Sequence, residues 1–138
     1  MVTGDGGIEC IGDKEFEYQE VFNAKLFLGE IISALHIQEK NGKFILKIYD
    51  CGFELTRQLI MILALYYQQV RIVKPVTSRP GNSEKYLYCE GFKGISPEEL
   101  EELKQALELW TAAEPKLSYF ENQEFVHSLF DFSHFPNY

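Results

Sequence analysis

Three charged residues stand where polar segments meet apolar ones. Asp5 stands at the strand end within the opening MVTGDGG, Lys47 interrupts the apolar run FILKIYD, and Glu84 ends the polar loop of KPVTSRPGNSEKYLYC just before apolar character resumes. A lysine flanked by two carboxylates can be oriented by hydrogen bonds, and its neutral amine can take a proton from a substrate hydroxyl. That is general-base chemistry. Burial lowers a lysine pKa and neighbouring carboxylates raise it, so geometry decides the charge on Lys47 at neutral pH. The competing reading makes Lys47 an edge residue that snorkels to water and pairs with Asp50, and on spacing alone such structural ion pairs are the more common outcome.

Other residues carry weaker signals. Lys74, Ser78, Arg79 and Asn82 share one loop and could grip phosphate and ribose, since an arginine fork matches phosphate oxygens. Composition alone favours a solvated turn there. Gly6 and Gly7 after Asp5 permit close backbone approach to a ligand or form an ordinary turn. His36, His127 and His134 lack metal-ligand spacing, and no metal site is expected. Cys10, Cys51 and Cys89 contain no CxxC pair, which points to reduced thiols and an intracellular location.

The elements that must position these residues follow from periodicity. Positions from about Phe16 to Leu35 place Val21, Ala24, Leu28, Ile31, Ile32 and Leu35 at helical spacing, with Glu17, Glu20, Lys25 and Glu30 largely elsewhere. After the Asn41-Gly42 turn, Phe44 to Tyr49 reads as a strand buried on both faces and therefore mid-sheet. Phe53 to Gln68 reads as a core helix with Arg57 and Gln58 on its wet side, and Val70 to Lys74 as the next strand. Pro80-Gly81-Asn82 turns the chain into a strand over Tyr86 to Cys89, antiparallel to its predecessor because a parallel return needs a crossover of about a dozen residues. Ser96-Pro97-Glu98-Glu99 is a capping box opening a helix to about Ala112 with a stripe of Leu100, Leu103, Leu107 and Trp110. The aromatic tail is expected to hold a short helix near Glu124 to Phe130 and to fray after Pro136.

Alternating strands and helices give an α/β fold with a mostly parallel sheet, whose first strand is the short Met1 to Asp5. In such sheets ligands bind at the carboxyl ends of the strands. Asp5 and Lys47 lie at or near such ends, and the amino end of an antiparallel strand puts Glu84 on the same edge. At 138 residues and 46% hydrophobic, one globular unit is expected. The longest apolar run, Leu59 to Tyr67, falls well short of the roughly 20 residues of a membrane span. A net charge of -8 argues against a surface that binds nucleic acid everywhere, yet Lys74, Arg79 and Lys85 form a locally basic loop beside a helix rich in glutamate.

Taken together, VTGDGG, NGKFILKIYDCGFELTRQLIMIL and VRIVKPVTSRPGNSEKYLYCEGF resemble the carboxyl half of the FtsJ-like (RrmJ-type) ribose 2′-O-methyltransferases over roughly residues 1 to 92, with residues 93 to 138 as a helical extension. TSRPGNSEKYLYCEGF looks most like the cap-specific mRNA enzymes of eukaryotes and large DNA viruses. The resemblance implies the carboxyl half of a Rossmann-like methyltransferase fold, a mostly parallel sheet ending in an antiparallel strand. It also implies three members of a Lys-Asp-Lys-Glu tetrad in Asp5, Lys47 and Glu84; Lys47 follows Asp5 by 42 residues and Glu84 follows Lys47 by 37. Lys47 would then activate a ribose 2′-hydroxyl for in-line attack on the methyl of S-adenosylmethionine, without a metal, on capped mRNA. Asp5, Gly6 and Gly7 would make partial cofactor contacts, and Lys74, Ser78, Arg79 and Asn82 would contact RNA. The family's first tetrad lysine, glycine-rich loop and ribose-binding acid lie upstream of the Asp5 motif. The chain alone is therefore expected to be inactive, a part of a longer protein or one completed by a second chain. Its location would be nucleus or cytoplasm, or a viral factory if viral. Two other readings stay open: a noncatalytic FtsJ-like module that binds RNA or protein, and a small acidic interaction domain.

Overall fold

A computed structural model describes residues 1–8, 19–79, 81–113 and 128–129. Strand β1 (Val2–Gly4) leads to helix α1 (Gln19–Ile37), then β2 (Lys43–Ile48), α2 (Glu54–Tyr66), β3 (Tyr67–Val73), β4 (Lys85–Phe92) and α3 (Pro97–Ala113). The sheet order is β1-β2-β4-β3, with β1 parallel to β2 and β4 antiparallel to both of its neighbours. Three strands thus run one way, and the last strand in sequence inserts between two of them. The expected α/β fold, mostly parallel in strand direction and ending in an antiparallel strand, is what forms.

In β2, Phe44, Leu46 and Ile48 are buried while Ile45 and Lys47 are only partly so, and in β4 Leu87 and Cys89 face the same core. The expected burial of β2 on both faces therefore needs correcting among the described residues. Its central position holds, because β1 and β4 flank it. From α1 come Ala24, Phe27, Leu28, Ile31 and Leu35, and from α2 Leu55, Leu59, Ile62 and Leu63. Burial of the leucine, isoleucine and phenylalanine side chains contributes roughly 1.5–3 kcal/mol each relative to exposure.

Helix α3 opens as its sequence requires: Glu99 N–H donates to Ser96 Oγ at 3.1 Å, and Ser96 N–H donates to Glu99 Oε2 at 2.9 Å. Leu100, Leu103 and Trp110 are buried and Leu107 packs against the core.

Three expectations are corrected. Strand β3 starts at Tyr67 directly from α2, because Tyr67 is itself a core residue with its ring 6.5 Å from that of Phe44 and 5.3 Å from that of Phe92. Gln58 is 1% exposed rather than wet: its amide donates to Ser128 Oγ and accepts from Leu129 N–H, both at 2.6 Å. Glu20, placed by periodicity on the polar face, is 5% exposed and accepts from Gly52 N–H at 3.1 Å and Phe53 N–H at 3.0 Å. It serves the entry to α2, where Phe53 provides no side-chain cap. Of the expected tail helix, only Ser128 and Leu129 fall within the described residues, and neither is helical.

Candidate active site at the carboxyl edge of the sheet

Parallel pairing of β1 and β2 brings their carboxyl ends side by side. Register pairs Gly4 with Leu46, so Asp5 emerges next to Lys47. Lys47 Nζ donates to the Asp5 carbonyl oxygen at 2.9 Å and contacts Asp5 Oδ1 at 3.1 Å. Its side chain is 14% exposed, whereas that of Asp5 is 76% exposed. The alternative pairing with Asp50 does not form. Asp50 instead contacts Lys85 Nζ at 3.1 Å and accepts from Cys51 N–H at 2.9 Å.

Glu84 reaches the same edge through β4. Tyr86 pairs with Lys47 across β2 and β4, and the Tyr86 hydroxyl donates to Glu84 Oε1 at 2.7 Å. Burial pulls the Lys47 amine down, but its hydrogen bond to Asp5 and the fields of Tyr49, Asp5 and Glu84 outweigh burial and hold it above the ordinary lysine value. Tyr86 is pushed up to about 12, chiefly by its bond to Glu84 and then by burial and the fields of Glu84, Asp5 and Tyr49. These five groups form one electrostatic cluster.

Helix α1 sets the backbone that carries Asp5. Glu30 Oε1 accepts from Gly6 N–H at 2.9 Å, and buried Asn23 accepts from Ile8 N–H at 2.7 Å while donating to Gln19 O at 2.8 Å. Gly7 lies tight against the cluster: a Cβ there would meet the Tyr49 hydroxyl at 2.6 Å and Lys47 Nζ at 3.6 Å. Sequence reasoning missed Tyr49, Tyr86, Asn23 and Glu30. The first two stand two residues after Lys47 and Glu84, a strand-period signal open to reading. The α1 contacts bridge 15 and 24 residues and leave no local signature.

The profile of the FtsJ-like methyltransferases matches residues 1–92. The chain belongs to that family. This FtsJ-like chain is 33% identical over 105 residues to a cap-specific mRNA (nucleoside-2′-O-)-methyltransferase 1 of Trypanosoma brucei brucei, covering 76% of the chain and 28% of that protein. It is 37% identical over 90 residues to the Drosophila melanogaster protein of the same description, covering 65% of the chain and 11% of that protein. The chain thus spans under a third of the length of these relatives. A crystal structure assigned to a ribosomal RNA methyltransferase of Plasmodium falciparum superposes with a TM-score of 0.55 at 24% identity, covering 68% of this chain and 47% of that one. That likeness concerns the fold.

Within the FtsJ-like chain the β3–β4 loop is braced by its own polar groups. Lys74 Nζ donates to Asn82 O at 2.7 Å, Asn82 Oδ1 at 2.8 Å and Glu84 O at 3.1 Å, and Ser78 Oγ donates to Asn82 Oδ1 at 3.1 Å. Lys74, Ser78 and Asn82 therefore shape the loop and fix the backbone of Glu84, and Arg79 stands exposed. No group of His, Cys, Asp and Glu among the described residues could hold a metal, and no described helix is long and apolar enough to cross a membrane.

Proposed function

We propose that this chain forms the catalytic edge of an RNA ribose 2′-O-methyltransferase that uses S-adenosylmethionine and acts on the 5′ end of capped mRNA. The observation that carries this reading is the contact of Lys47 with Asp5 beside Glu84. The descriptions of the relatives supply the substrate class. Lys47 would hold and orient the 2′-hydroxyl, Asp5 would fix the amine, and Glu84, itself held by Tyr86, would complete its polar surroundings. Because Asp5 and Glu84 favour the ammonium, Lys47 can accept the hydroxyl proton only when a neighbouring positive charge lowers its pKa.

S-adenosylmethionine, when bound, supplies an electrophilic methyl group. The exposed Asp5 carboxylate and the Gly7 backbone suit an edge of such a ligand, while Gly6 N–H is taken by Glu30. These contacts are partial, and we read the chain as inactive until completed by further sequence or a second chain. Among the described residues β1 pairs with β2 alone. A groove of about 780 Å³ runs along it past Leu26, Ile37 and Glu30, and the second carboxylate oxygen of Glu30 is buried without a partner among the described residues. Arg79 and the braced loop would meet the RNA backbone. Action on mRNA would place the protein in nucleus or cytoplasm.

In the completed protein, Lys47→Ala should lower methyl transfer from labelled cofactor to capped RNA by about 100-fold or more. Undiminished transfer would sink the general-base role. Calorimetry on the 138-residue chain should find weak or no S-adenosylmethionine binding; a micromolar constant, about −8 kcal/mol, would overturn the incompleteness. The partial cofactor contacts, with Gly6 N–H already taken by Glu30, also favour a second reading, a noncatalytic RNA-binding module. Capped-RNA binding without transfer in the completed protein would select it.

A further inference from the structure

Beside the Lys47 cluster lies a cavity of about 300 Å³ that the proposed reaction does not use. It is lined by Gln19, Glu20, Tyr49, Asp50, Phe53 and Ser83, together with the Gly52 backbone. Two links tie it to the active edge: Tyr49 lies in the field of Lys47, and Ser83 precedes Glu84. Its size suits one planar group rather than a chain.

The lining selects among the parts of a nucleotide. Glu20 and Asp50 put two carboxylates on the wall against one ammonium, that of Lys85, which contacts Asp50 Oδ1 at 3.1 Å and the carbonyl oxygens of Tyr49 and Ser83 at 3.4 Å, so the balance of charge disfavours a phosphate. Both are fixed, Glu20 by Gly52 and Phe53 N–H and Asp50 by Cys51 N–H and Lys85, so their remaining lone pairs point in set directions. Gln19 Oε1 accepts from Ser83 Oγ at 3.3 Å, which joins α1 to the segment before β4 and orients the Gln19 amide nitrogen as a donor. Tyr49 and Phe53 add aromatic surface. Fixed acceptors, a donor and aromatic walls are how proteins take up an unstacked base: rings against rings, and hydrogen bonds to its polar edge.

We propose that this cavity receives the base of a nucleotide next to or bearing the methylated ribose, and that it prefers bases with an exocyclic amino group. Adenine, cytosine and guanine offer an N–H₂ to the carboxylates. Uracil presents two carbonyl oxygens around its one N–H, and these oppose Glu20 and Asp50. The identification of the ligand as RNA rests on the function proposed above; the preference for amino-bearing bases rests on the lining alone.

The test is a titration of the 138-residue chain with adenosine, cytidine, guanosine and uridine, followed by the amide resonances of Gly52 and Phe53. Amino-bearing nucleosides should shift both saturably and bind about fivefold or more tightly than uridine, the lower end of discrimination by a good hydrogen-bonded pair. Asp50→Asn should erase much of that preference, and Phe53→Ala should weaken all four nucleosides while leaving the spread of amide resonances intact. Equal binding of uridine, or no shift at either amide in the folded chain, would overturn the proposal. The two readings fail separately. Loss of transfer in Lys47→Ala with no base preference removes the pocket and keeps the reaction. Base preference with undiminished transfer in Lys47→Ala removes the role of Lys47 and keeps the pocket.

Discussion

Tyr86 binds the carboxylate of Glu84 at 2.7 Å and is at the same time the cross-strand partner of Lys47. One side chain thus couples two of the three groups singled out for chemistry. Tyr86→Phe keeps the ring and removes the bond. In the completed protein it should lower kcat more than it changes KM, by roughly tenfold, the worth of about 1.4 kcal/mol from a hydrogen bond to a charged group. Steady-state kinetics with capped RNA check this, and an unchanged kcat would detach Tyr86 from the site.

Asp5 is the principal neighbour raising the proton affinity of Lys47. Asp5→Asn removes that charge while burial still opposes the ammonium, so the Lys47 pKa should fall. Side-chain carbon NMR of labelled lysine reads it directly. In the completed protein, transfer limited by a lysine base should rise with pH below the pKa of Lys47, about tenfold per unit, and level above it.

Gly7 is exposed, and its Cβ direction faces the tip of the Tyr49 side chain. Gly7→Ala would drive a methyl group into the Tyr49 hydroxyl, 2.6 Å from the Cβ position. Because the tip of Tyr49 can swing aside, the variant should lose at most about 1 kcal/mol by urea denaturation, below the cost of overpacking a closed core. Combining it with Tyr49→Phe should recover part of that loss; strict additivity of the two would show that they do not clash.

Glu20 holds two backbone donors at the entry to α2 from 32 and 33 residues away. Glu20→Ala leaves both without it and should cost roughly 1–3 kcal/mol by chemical denaturation. A cost near zero would mean that water serves the two N–H groups equally well.

Glu99 is held below the usual glutamate value by the backbone N–H of Ser96, then by its hydroxyl, with Tyr66 adding to the effect. A depressed carboxylate contributes stability above its unfolded pKa and loses it as pH falls through the folded one. Acid titration of α3 should therefore show unfolding at higher pH in Glu99→Gln, which lacks the charge throughout, than in the unaltered chain.

Local pattern determined much of this protein. The period of the α1 and α3 stripes, the capping box at Ser96 and Glu99, and the short β3–β4 connection are interactions within a few residues, and each appears in the structure as its sequence implies. The same local chemistry placed Asp5, Lys47 and Glu84 at ends of strands. Tertiary structure alone decided that Lys47 takes Asp5 while Asp50 takes Lys85, that Tyr86 faces Lys47, and that Glu20, Gln58, Asn23 and Glu30 serve distant backbone. The reason is physical. Periodicity reports which face of an element is apolar, whereas a polar side chain's partner depends on which elements become neighbours: β1 beside β2 for Asp5 and Lys47, β4 beside β2 for Tyr86 and Lys85, and α1 against the β1 end and the entry to α2 for Glu30 and Glu20.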